Sequence, residues 1–237
     1  MKSKIIALLL LATAATGVAA ENPPATPQNV VMKPTFMTGY DSFSGGTAFL
    51  CSLAGHEGIL LLTAQHLFGP ACGLDREYTW QETPKLFIAV TGLSMSDPSH
   101  FVTSTNPLTI PGAHALNDSG YDKDLAGYRI VPDGKLSSLH LASSRPKPGD
   151  VVFLYARQRG KDALEFFRAI VRKSTDAEFE YAFDAADINI AGTSGAPVLN
   201  TSGEVVAVNI GGGKEKGKEF GFGNPCNSIA QLLKNLK

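Results

Sequence analysis

Gly192-Thr193-Ser194-Gly195-Ala196-Pro197, running into Val198-Leu199-Asn200, is the stretch on which the reading of this chain turns. It sets one serine in a glycine-flanked loop, and past the turn Thr201-Ser202-Gly203 the run Glu204 to Ile210 reads as a strand. A serine hydroxyl is unreactive at its own pKa. It becomes a nucleophile when an imidazole takes its proton and a carboxylate holds that imidazole in the right tautomer. Two upstream segments carry those groups, Thr63-Ala64-Gln65-His66 and Asp124-Leu125-Ala126. The three candidates run His66, Asp124, Ser194 in chain order, with Asp122 competing for the place of the acid.

The background is rich in short strands. Gly46 to Leu53, Gly58 to Ala64, Lys85 to Thr91, Leu125 to Val131, Val151 to Arg157, Leu164 to Val171 and Glu178 to Phe183 join Glu204 to Ile210 as apolar or alternating runs. Turn-rich stretches separate them, among them Asp97-Pro98-Ser99, Pro132-Asp133-Gly134 and Pro146-Lys147-Pro148-Gly149-Asp150. Many short strands punctuated by Gly and Pro argue for an all-β sandwich or barrel. One helical pattern stands out, Asn227 to Lys237, with Ile229, Leu232, Leu233 and Leu236 on one face and Asn227 or Ser228 as its cap.

Composition bounds the rest. With 237 residues, 43% hydrophobic and 18% charged, the chain can bury a full core. Lys2 and Lys4 precede an apolar run from Ile5 to Ala15, and Val18-Ala19-Ala20 ends it with small residues, so residues 1–20 read as a signal peptide. Export to a periplasm or beyond the cell is the expectation, with no membrane attachment once that segment is removed. Its removal leaves 19 basic against 22 acidic residues, a balance that carries no nucleic-acid footprint. In an oxidising compartment Cys51 and Cys72, which flank His66, can pair; the alternative is two small buried thiols. Cys226 is then odd and reads as a buried thiol. His56, His100, His114 and His140 show no metal-ligand spacing, and neither metal nor organic cofactor is expected.

In its combined motifs the chain resembles the trypsin-like, chymotrypsin-fold serine endopeptidases of the secreted bacterial type. The blocks that carry the resemblance are Gly46 to Leu50 leading to Thr63-Ala64-Gln65-His66, then Asp124-Leu125-Ala126, then Gly192 to Pro197 and its continuation through Asn209. It implies an all-β fold of two packed six-stranded antiparallel barrels with a C-terminal helix. Residues 21–43 would be an N-terminal arm, 44–135 the first lobe and 136–237 the second. His66 and Asp124 from the first lobe would meet Ser194 from the second, the N-H groups of Gly192 and Ser194 would form the oxyanion hole, and the partner would be a protein or peptide substrate bound to a monomer. The Leu125-Ala126 that follow it make Asp124 the family's acid rather than Asp122.

Two departures qualify the likeness. Thr193 stands where zymogen-type members carry an activating Asp, and Ala196 replaces a second glycine after the serine. For substrate preference the resemblance implies a pocket floored at Ile188 and walled by Asn209, Ile210 and Gly211. No acid stands in that floor, although Asp187 is adjacent, and a small or medium apolar residue before the scissile bond is the expectation. Gly211 to Gly223 reads either as a lip beside that pocket or as a solvated hairpin tip. Two rivals remain at this level. An α/β-hydrolase would use a similar serine elbow but in the order serine, acid, histidine, and a catalytically silent peptide- or protein-binding module would keep the same cleft.

Overall fold

The computed structural model describes residues 21–117, 120–131, 136–185, 187–234 and 236. The expected signal peptide, the Pro132-Asp133-Gly134 turn, the expected lobe boundary at residue 135 and the last residue of the expected helix lie outside them.

Eight strands make the first lobe: β1 (Val31–Met37), β2 (Ser42–Ser44), β3 (Ala48–Ser52), β4 (Ile59–Thr63), β5 (Ala89–Ser94), β6 (Phe101–Ser104), β7 (Ala126–Ile130) and β8 (Leu139–His140). They form one curled sheet in the order β6-β5-β1-β3-β4-β7, with β2 on β1 and β8 parallel to β3. Six strands make the second: β9 (Val151–Ala156), β10 (Glu165–Ser174), β11 (Phe179–Phe183), β12 (Pro197–Leu199), β13 (Val205–Glu215) and β14 (Lys218–Pro225). These close into an antiparallel barrel, β10-β11-β14-β13-β12-β9. Among the described residues two α-helices, α1 (Thr83–Leu86) and α2 (Cys226–Leu233), and two single 3₁₀ turns, Gln65–Leu67 and Pro70–Cys72, complete the set.

The fold is therefore the expected all-β, two-lobed one, with a difference in the first lobe. Its edge strand β7 is met not by β6 but by the irregular Asn106–Leu108 segment, through Arg129 N-H to Asn106 O at 2.9 Å and Leu108 N-H to Gly127 O at 2.8 Å. Pro107, which has no N-H to give a ladder, sits opposite Tyr128 as a single bridge. The first lobe is a half-barrel and the second a closed one.

Residues 31–37, inside the stretch expected as an arm, are the strand that joins β3 to β5 in the sheet's middle. Pro34 in its centre masks the strand pattern; it lies opposite Gly92 of β5. The strand expected at Lys85 begins instead at Ala89, because Thr83-Pro84 opens a helical turn, with Phe87 N-H closing on Thr83 O at 2.9 Å. Helix α2 starts one residue earlier than its expected caps. Asn227 and Ser228 turn away to hold the β10–β11 turn, donating to Asp176 Oδ1 at 3.0 Å and Asp176 O at 2.9 Å. The Gly211–Gly223 run is a hairpin tip: Lys216 and Gly217, with φ of 49° and 80°, form the two-residue turn between β13 and β14.

Among the described residues most of the buried apolar side chains fill three volumes. Phe36, Leu50, Leu61, Phe68 and Tyr128 pack inside the first lobe, and Leu154, Phe179, Tyr181 and Val198 inside the second. A third cluster lies where the lobes meet: Phe49, Leu62 and Leu125 from one side, Leu199, Val205 and Val208 from the other, with Ile229 and Leu233 of α2 inserted among them. That third core fixes the lobes against each other and so sets the width of the cleft.

Candidate active site

His66 follows β4 directly. The chain leaves the strand at Ala64 in extended conformation and tightens into a single 3₁₀ turn, Gln65–Leu67. Gln65, 2% exposed, anchors that turn by donating to Tyr78 O at 2.8 Å and Thr83 Oγ1 at 2.9 Å. The imidazole thus starts from a fixed backbone.

Asp124 precedes β7 and is fully buried. Among the described residues it accepts three hydrogen bonds: from His66 N-H at 2.9 Å, from Leu116 N-H at 3.2 Å, and from His66 Nδ1 at 2.7 Å. Asp124 rather than Asp122 is the acid that meets the imidazole. The ring therefore carries its proton on Nδ1 and turns Nε2 toward the cleft. Burial is the largest influence on the His66 pKa and lowers it, but the hydrogen bond and charge of Asp124, with the charge of Glu77, outweigh it and hold the pKa above the ordinary 6.5.

Ser194 sits on the opposite lobe, in the loop before β12. The loop is tied across the cleft to the first lobe by Thr47, whose N-H donates to Ser194 O at 2.7 Å and whose Oγ1 donates to Gly192 O at 3.0 Å. Gly195 has φ +85°, and a Cβ there would run into Thr47 O and Thr63 Oγ1, so only glycine lets the loop lie this close to β4. Behind the loop, Thr193 sits in a neutral hydrogen-bond network. Its Oγ1 donates to Ile190 O at 2.7 Å, Asn209 Nδ2 donates to Thr193 O at 3.0 Å and to Oγ1 at 2.9 Å, and Tyr181 OH donates to Asn209 Oδ1 at 2.7 Å. Among the described residues the N-H groups of Gly192 and Ser194 find no internal acceptor, whereas those of Thr193, Gly195 and Ala196 all do. His66, Ser194 and Gly192 line one cleft of about 810 Å³.

The expected pocket residues are not gathered in the same way. Ile188 is 7% exposed and packs inside the second barrel rather than flooring a pocket. Asn209 is 1% exposed, and its amide is used up by Thr193 and Tyr181. A bulge explains the turn inward: Asn209 pairs with Gly223 and Gly211 with Phe222, leaving Ile210 unpaired between them. Ile210 instead joins Ala64 and Leu67 across the lobes, with Tyr121 and Phe222 against them. Gly211 does face a neighbour, the Phe222 ring, which a Cβ would meet at 2.9 Å. Ile190, beside Gly212, and Phe220, beside Gly213, complete an apolar surround that the sequence reading missed. The alternation Phe220-Gly221-Phe222-Gly223 was the available signal.

The Cys51–Cys72 disulfide is not formed. All three cysteines are free thiols. Cys51 points into the inter-lobe core, while Cys72 lies by the cleft near Gly45. Burial pushes Cys51 up to about 12 and Cys226 to about 11, which keeps both protonated at neutral pH. Among the described residues no three His, Cys, Asp or Glu side chains cluster as metal ligands would.

Two β lobes that bring an acid-paired histidine and a glycine-flanked serine to the walls of one cleft define the class of chymotrypsin-like serine peptidases. Known proteins lead to the same class. A family model described as "Trypsin-like peptidase domain" matches residues 46–208, and the chain belongs to that family. It is a serine-type peptidase. Its fold is similar to the active form of the Rv3671c protease from M. tuberculosis, at 16% identity and a TM-score of 0.57, with 97% of this chain and 94% of that one covered. It is also similar to a variant of the HtrA-type protease AlgW with a tripeptide, at 17% identity and a TM-score of 0.55, covering 87% of this chain. The serine endoprotease from Yersinia pestis gives 18% identity and a TM-score of 0.54, again over 87% of this chain. The chain spans 59% and 62% of the lengths of the last two. No curated protein sequence matches.

Proposed function

We propose that this protein is an exported endopeptidase that cleaves peptide bonds through an acyl-enzyme on Ser194. His66 Nε2 takes the Oγ proton as the serine attacks the scissile carbonyl, then delivers it to the leaving amine; water repeats the cycle to release the acyl group. Asp124 holds the imidazole and stabilises its protonated form, and the N-H groups of Gly192 and Ser194 receive the oxyanion. The observation that carries this reading is the 2.7 Å bond from His66 Nδ1 to Asp124 on one wall of a cleft whose other wall presents Ser194 beside two unused N-H groups. The apolar surround of Gly211 to Gly213, made by Ile190, Phe220 and Phe222, supports cleavage after small or medium apolar residues.

A silent binding module rests on a different observation: among the described residues Ser194 Oγ makes no hydrogen bond to His66. Catalytic hydrogen bonds of this type are often long before substrate arrives, so the two readings part on reactivity. A fluorophosphonate probe is expected to label the wild type at Ser194 and to leave Ser194→Ala unlabelled. His66→Ala is expected to slow labelling by roughly a thousandfold or more. A folded wild type that neither takes the probe nor cleaves casein selects the binding module.

A further inference from the structure

The cleft that holds His66 and Ser194 does not run toward β13. None of Ile188, Asn209, Ile210 or Gly211 lines it; it passes over Gly45 and Gly46 to the β9–β10 loop. If the acyl part of a substrate lies along Gly211 to Gly213, this cleft is where the leaving amine and the residues after it lie. Its volume of about 810 Å³ has room for several residues of an extended chain.

The charge of this side is one-sided. Among the described residues Lys33, Arg157, Arg159 and Lys161 line it, against Asp162 alone. Among the described residues the three loop cations make no ion pair, whereas Arg172, Lys173 and Lys214 elsewhere on the same lobe are paired with Glu215, Glu178 and Glu219. Lys33 is held at the wall, donating from Nζ to Gly46 O at 3.2 Å. Acidic residues outnumber basic ones in this chain, so four cations gathered in one cleft are a local reversal that focuses positive potential beside the reacting serine.

We propose that the leaving-group side of this cleft selects peptide substrates that carry Asp or Glu within the first few residues after the scissile bond, through Arg157, Arg159 and Lys161 with Lys33. The proposal rests on the peptidase reading of Ser194 and deepens it by naming a substrate class.

Paired internally quenched peptides test it, identical on the acyl side and differing by Glu or Lys at the second and third residues after the bond. The Glu peptide is expected to show a kcat/KM about tenfold higher at low salt, the sum of several exposed pairs, and the ratio shrinks as salt screens them. Arg159→Glu with Lys161→Glu is expected to invert the ratio. Arg159→Gln with Lys161→Gln brings it toward one and keeps the test readable if charge reversal unfolds the protein. A ratio near one in the wild type overturns the proposal, as does a gain that persists when Glu is moved to the acyl side. Fluorescence anisotropy with Ser194→Ala reads the same preference without turnover. Tighter binding of the Glu peptide there supports the proposal even if hydrolysis fails, and equal binding overturns it while leaving hydrolysis standing.

Discussion

Glu77 folds back so that its carboxylate covers the backbone of Gly69, three residues past His66, and its charge is one of those that raise the imidazole pKa. In the proposed mechanism His66 serves as base in its neutral form, so a raised pKa moves the acid limb of the activity profile to higher pH than an unperturbed histidine would give. Replacing Glu77 with Gln removes that charge, lowers the His66 pKa and is expected to move the acid limb of kcat/KM to lower pH, measured on one neutral peptide. An unchanged limb would sink the assignment of Glu77 as a positioning charge for His66. His66 and Asp124 were legible in the sequence because each stands in a short block whose chemistry is local. Asn209 was not. Its position beside the serine loop is set by a bulge in the β13–β14 ladder, and its amide serves Thr193 and Tyr181, contacts that cross 16 and 28 residues of chain. The disulfide failed for a similar reason: Cys51 is on an inward-facing strand position and Cys72 on a separate turn, and proximity to His66 along the chain says nothing about either direction.

At the scale of elements, α2 shows how far periodicity reaches. Its apolar stripe is as expected, with Ile229 and Leu233 fully buried and Leu232 and Leu236 packed at the rim. What it covers is the seam between lobes. Ile229→Ala is therefore expected to cost about 2–5 kcal/mol and to lower the melting temperature by roughly 5–15 °C. A loss under about 1 kcal/mol, read by denaturant titration, would show that the helix is not a structural part of the interface. Strands with unbroken apolar runs, β4 and β9 among them, were legible to within a residue or two. β1, β6 and β14 were not, since Pro34, the exposed Phe101 and the glycines at 221 and 223 each interrupt the pattern that a half-buried strand presents.

Across the whole molecule the two lobes differ in closure, and their stability against local opening should differ with it. The second barrel has no free edge, while β6 ends the first lobe's sheet with Phe101 63% exposed. Hydrogen exchange is expected to be slowest at Leu154, Val198 and Ala207 in the second lobe and clearly faster at Val102 and Thr103. Equal protection in both lobes would mean that β6 is covered in solution. The asymmetry bears on chemistry, because the serine loop stands on the closed lobe and is braced by Thr47 from the open one.

The sequence by itself determined the β class and singled out the serine loop, the histidine turn and the acid as candidates, because each is written in neighbouring residues whose propensity and chemistry need no distant partner. Tertiary structure decided the rest. Which strands close a barrel, which way Asn209 and Ile188 face, and which cations share a cleft with Ser194 all depend on register and on contacts between residues far apart in the chain, and a one-residue bulge is enough to exchange the pocket for the core.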